Sequence, residues 1–283
     1  VDRFLDLTLN GISSGAVYAA LGLSLVIIYR ATRVVNFAQP ALALVAVYLA
    51  YAVNKATGNY WLAFAVALGA GVVMGAVVER VLIRPVQRKS ELSAIIVTLG
   101  LLLVLQALVG MIWSNEPHAF PYAFDFRGRF STNDAFAVGL VVVTASALLL
   151  LFKVTPIGLK MRASAFRPDV ARLLGVRVGL MLTLGWALAA FVGSIAGMIA
   201  TAPFLYPNVL DGVFVYALTA AVIGGLDNPI GTIIGGFVLG VGLSYVSGYL
   251  GPELVTMAAL AILVVVLAVR PNGLFGTTIA RRV

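Results

Sequence analysis

The chain of 283 residues contains no cysteine, which excludes disulfides, thiolate metal sites and a cysteine nucleophile. Histidine occurs once, at His118, so neither a multi-histidine metal centre nor a histidine relay can be assembled. Charge is scarce, at 11% of residues against about a quarter in soluble domains. Acids are scarcest, 11 against 19 Lys and Arg. They stand near the ends of apolar runs rather than inside them, which argues against the carboxylate relay of an ion-coupled carrier. No Gly-Lys pair precedes a Ser or Thr, so there is no phosphate-binding loop of the Walker kind. If the protein uses ATP, another chain must hydrolyse it.

What is present is apolar. Hydrophobic residues make up 61% of the chain and the mean hydropathy is +1.06, values that define a polytopic membrane protein. The fold class is therefore all-α, a helical membrane bundle. Runs at 7–29, 34–53, 61–78, 92–113, 135–152, 180–202 and 230–250, and a last one ending at Arg270, each approach the length of about 20 residues that a span needs. A further run at 212–225 is short and would be tilted, broken or re-entrant. Counting it gives nine spans, and omitting it gives eight. The first run lacks a preceding basic segment and a following cleavage site, so it reads as a retained span. The chain shows no linker and reads as a single transmembrane domain over 1–283. The net charge of +8 sits in short loops beside apolar runs and reads as a topology signal, not a nucleic-acid surface. With basic clusters inside, the N-terminus is external and the C-terminus cytoplasmic.

The densest basic stretch, 153–178, holds Lys153, Lys160, Arg162, Arg167, Arg172 and Arg177 against one acid, Asp169. That places this loop at the cytoplasmic face. Pro168 suits a first helical position, Asp169 complements the helix dipole and Gly175 suits a left-handed stop. The short helix so framed, with Val170, Leu173 and Leu174 on an apolar face, must lie on lipid headgroups or on another protein. A second polar stretch, 114–134, has nearly balanced charge and is the natural external loop. Polar residues within spans, Ser13, Ser14, Asn36, Gln39 and Thr98, suit either helix packing or a path for a small polar solute. Glycines 224, 225, 231, 235 and 236 around Asp227 and Asn228 suggest a broken-helix backbone. No nucleophile and base pair supports an intramembrane enzyme.

Five stretches in order resemble the permease of the branched-chain amino-acid ABC importers: Asn36-Phe37-Ala38-Gln39; Arg84-Pro85 leading to Thr98-Leu99-Gly100; Arg162-Ala163 with Leu174-Gly175-Val176; Gly224-Gly225 to Gly235-Gly236; and Arg270-Pro271-Asn272-Gly273-Leu274-Phe275-Gly276. The resemblance spans nearly the whole chain. It implies a multi-pass subunit of the bacterial inner membrane without a cofactor of its own. Its partners would be a second related permease, two cytoplasmic ATPases and an external solute-binding protein. The 153–178 stretch with its short helix would then be the coupling element, with Leu173 and Leu174 as anchors and Arg162, Arg167, Asp169, Arg172 and Gly175 around them. Arg127 and Arg129 would meet the binding protein. After Gln39 the family usually continues with Gly and Glu, whereas Pro40 and Ala41 stand here. That departure admits a solute other than a branched-chain amino acid, such as urea, a short amide or an organic acid. A self-sufficient carrier or channel is a further alternative.

Overall fold

The structure, a computed structural model, describes residues 2–87, 91–124 and 130–276. Its helices are α1 (Asp2–Thr32), α2 (Gln39–Thr57), α3 (Tyr60–Val78), α4 (Arg84–Gln87), α5 (Glu91–Trp113), α6 (Thr132–Val154), α7 (Pro156–Phe166), α8 (Pro168–Leu173), α9 (Val178–Ala200), α10 (Asp211–Gly224), α11 (Pro229–Tyr249) and α12 (Val255–Val269). A π-helical turn, Glu79–Ile83, joins α3 to α4. Among the described residues eight helices are long and apolar enough to cross a membrane. They follow the apolar runs closely. Most of their outward surface is apolar and exposed, as expected where lipid, not water, is the solvent.

Helix α1 is the hub. It packs against α11, α9, α10 and α6, and most of its length after Gly15 is buried. The contact with α11 is backbone to backbone: a Cβ at Gly240 would lie 2.4 Å from Gly15 Cα, and one at Gly11 would lie 2.5 Å from Val241 Cα. Small residues give this closeness because membrane helices associate through packing and not through exclusion of water. The same logic corrects the broken-helix expectation for the 224–236 glycines. Helix α11 is continuous, and Gly231, Gly235 and Gly236 press on Gly224, Ala220 and Ala19 respectively. The break falls between helices, where Gly225 adopts φ 91° and Asn228 caps α11 by accepting the Gly231 amide at 3.1 Å.

Helix α10 is short for a physical reason. It lies beside the second half of α1, with Gly22 against Ala217, and Asp227, three residues past its end, pairs with Arg33 just past the end of α1. The connection before it is folded into the bundle, with Leu205 and Leu210 buried. Two-residue strands β1 (His118–Ala119) and β2 (Phe204–Leu205) pair antiparallel and tie this connection to the loop after α5. His118, the lone histidine, stacks on Tyr51 at 5.0 Å between ring centroids, an aromatic packing role.

Candidate functional site

Asn36 and Gln39 come together in the interior. Both are fully buried. Asn36 Nδ2 donates to Gln39 Oε1 at 3.0 Å, and Asn36 Oδ1 accepts the Ala38 amide at 3.1 Å. Gln39 Nε2 then donates across to the Ala189 carbonyl of α9 at 3.1 Å. This pair starts α2, whose first turn also carries Pro40. The start is deep: Gln39 Nε2 lies against Gly193 of α9 and close to Ser24 of α1. At 1.5 Å per residue, Ser24 is about 12 Å along α1 from Thr32, and Gly193 is about 22 Å along α9 from Val178. The chain from Arg33 to Ala38 therefore re-enters the membrane before α2 begins. Two buried donors, Trp186 Nε1 one turn before Ala189 on α9 and Tyr48 Oη further along α2 beside Trp113, have no hydrogen-bond partner.

The end of the bundle where α1 finishes and α9 begins carries two ion pairs that join separate elements. Glu79, 0% exposed, takes Arg84 in a bidentate grip at 2.9 and 2.7 Å. Arg84 Nη2 also donates to the Gly179 carbonyl and to Thr183 Oγ1, and Thr183 donates to Glu79. The π turn and the start of α9 are thus one polar knot. Arg33 Nη1 donates to both oxygens of Asp227, at 2.6 and 2.8 Å, and that hydrogen bonding holds the guanidinium pKa above its ordinary value.

The basic loop is two helices. Thr155 caps α7 by accepting the Gly158 amide at 3.1 Å. Pro168 opens α8 and Gly175, at φ 78°, ends the turn after it, as the sequence suggests. Asp169 pairs with Arg172 at 2.7 Å, and Arg167 stands exposed at the α8 N-cap. Leu173 and Leu174 are 88% and 77% exposed, while Ala171 is buried against the rest of the chain. Arg162 is on α7, one of the residues lining a cavity with Arg30 and Arg33.

Of the remaining sequence candidates, Ser13 donates to Asp134 at the start of α6, and Ser14 hydrogen-bonds Tyr18. Both line an outer pocket with Tyr60 and Tyr122. Thr98 is buried and donates to Ile95 of its own helix at 2.9 Å, apart from Asn36 and Gln39. Arg127 and Arg129 lie outside the described residues. Sequence reasoning missed the Glu79–Arg84 knot, the Arg33–Asp227 pair, and the buried Tyr48 and Trp186. The spacing of five between Glu79 and Arg84 was the available signal, since it fits a π turn and not an α turn.

The geometry is that of a multi-pass helical membrane bundle with a buried polar pair where α2 begins and with polar knots gathered at one end. The family described as the branched-chain amino acid transport system permease component matches residues 7–268. The permease LivH of Salmonella typhimurium, strain LT2, named for high-affinity branched-chain amino acid transport, is 28% identical over 96% of each chain. The corresponding BraD of Pseudomonas aeruginosa is 25% identical over 97% of this chain and 96% of its own. The fructose import permease protein FruF of Bifidobacterium longum is 29% identical over 59% of this chain and 48% of its own. The chain belongs to the branched-chain amino acid transport system permease family, and is a permease subunit of the inner (plasma) membrane.

Proposed function

We propose that this chain is the translocation subunit of an ATP-driven importer for branched-chain or related amino acids, working by alternating access. It would pair with a second related permease, two cytoplasmic ATPases and an external binding protein, as a single domain over its whole length. The observation that carries the reading is the continuity of α8 with α9. Leu173 and Leu174 project uncovered at the cytoplasmic end, and α9, which follows within a few residues, supplies the Ala189 carbonyl that holds Gln39. A partner that grips α8 and moves it pulls on the helix that closes the interior polar site.

On this reading Asn36 and Gln39 form the gate in its closed state, and the unpartnered Tyr48 and Trp186 donors are groups a passing solute can satisfy. Ser13 and Ser14 stand at the outer entrance, Thr98 plays a packing part, and Arg127 and Arg129 dock the binding protein. Asp169, Arg172 and Gly175 shape the coupling helix, with Arg167 beside it. A second reading, the same machine for another small polar solute, is favoured by Ala41 at a position where the family usually has an acid. Likeness to a permease named for fructose import supports it as well.

Co-purification in mild detergent tests the coupling. Wild type is expected to bring down an ATPase subunit, and Leu173→Asp/Leu174→Asp to lose it without loss of folded protein. Stimulation of that ATPase by binding protein with leucine, urea or an organic acid then names the solute. A chain that purifies alone and carries solute into vesicles without ATP would instead be a self-sufficient carrier.

A further inference from the structure

At the cytoplasmic end of α1 lies a cavity of about 340 Å³ with three arginines in its lining, Arg30, Arg33 and Arg162, and one acid, Asp227. Both oxygens of Asp227 accept from Arg33. Arg30 lies over the Phe152 ring at 5.7 Å, and its charge feels the attraction of Asp227 and the repulsion of Arg162 and Arg33. Among the described residues neither Arg30 nor Arg162 has an ion-paired acid. The remaining wall is apolar, with Phe152 and Met161 among its members.

Three arginines against one acid leave an excess of positive charge on one cavity with a partly apolar wall, an arrangement that folding alone disfavours. An anion between them removes the conflict. Two planar guanidinium forks fit an oxyanion with several equivalent oxygens better than a spherical ion. The cavity also exceeds the needs of a bare ion, given a volume of roughly 30 Å³ for one water. Its place between membrane helices on the basic, cytoplasmic side is where a phospholipid headgroup lies, and basic interhelical pockets there bind anionic headgroups. We propose that Arg30 and Arg162 form an oxyanion site that holds the phosphate of an inner-leaflet phospholipid, with the glycerol and first acyl carbons against Phe152 and Met161. The site is separate from the Asn36 and Gln39 pair and does not depend on which solute is carried.

The test uses the full chain purified in a neutral detergent, with native mass spectrometry as the readout and phosphatidylglycerol and inorganic phosphate as probes. Wild type is expected to retain or rebind one phosphatidylglycerol per chain at least tenfold more tightly than Arg30→Gln/Arg162→Gln. Arg172→Gln, whose partner Asp169 lies outside the cavity, should match wild type. Arg162→Gln alone, at an exposed position of α7, decides the matter if the double variant does not fold; it should weaken retention at least threefold. Displacement of the lipid by millimolar phosphate, with the same arginine dependence, would keep the oxyanion site and assign it to a soluble anion. Equal retention of both probes by wild type and the arginine variants, at unchanged melting temperature, overturns the site.

Discussion

At the scale of single residues the bundle depends on positions where nothing larger than hydrogen fits. Gly240→Ala places a methyl carbon against the backbone of Gly15 and Gly11, neither of which can rotate away. The expected effect is destabilisation of about 1–3 kcal/mol, seen as a lower melting temperature in detergent. Gly242→Ala, two residues on with open space around it, should be neutral or slightly stabilising in the same assay. Glu79 is a different kind of critical position, a carboxylate buried with its charge paired. Arg84→Ala leaves its carboxylate buried and unpaired, and should destabilise by about 3–5 kcal/mol. Arg84→Lys should recover little, because one ammonium cannot replace the fork that reaches Glu79, Gly179 and Thr183 together. These residues were only half legible in the sequence. The glycines stood out, but their density suggested a break, because a glycine within a packed seam and one within an unwound segment look the same without the partner helix. Asn36 and Gln39 were marked as polar residues in a span, yet their link to Ala189 joins positions 150 residues apart, which no local spacing reveals.

At the scale of elements the long helices were legible because lipid demands uninterrupted apolar runs with internal hydrogen bonding. Helix α8 was legible from Pro168, Asp169 and Gly175, which act locally. Helix α7 was not separated from it, although Thr155 and Pro156 offered a start signal, since Lys160 and Arg162 drew attention as loop charges. The β1–β2 pairing was invisible, being too short for any alternating pattern. It can be tested by a cross-link: in this cysteine-free chain Ala119→Cys/Phe204→Cys sits on directly paired Cα positions and is expected to form a disulfide under mild oxidation. If the folded-in connection before α10 must move during transport, uptake should fall on oxidation and return with reductant. Unchanged uptake with the bond formed would make this clasp a static one.

At the scale of the whole molecule, the described residues form eight helices long and apolar enough to span a membrane and the shorter α10, whose crossing would make the count nine. Single cysteines read this directly with a membrane-impermeant reagent on intact cells. Tyr206→Cys should be labelled from outside, while Leu226→Cys and Leu174→Cys should be labelled only after the cells are opened. Labelling of Leu226→Cys from outside would leave α10 re-entrant and the count at eight. The deep start of α2 has one more consequence, in the cell's energy economy. The first turn of a helix carries about half a positive charge, and here it faces the membrane interior with Ala41 where an acid would have cancelled part of it. A fixed positive end on the proposed pathway repels protons and metal cations even when the gate parts, as half-helices do in pores that stay proton-tight. In the proposed function the protein would thus open to a solute without short-circuiting the membrane potential.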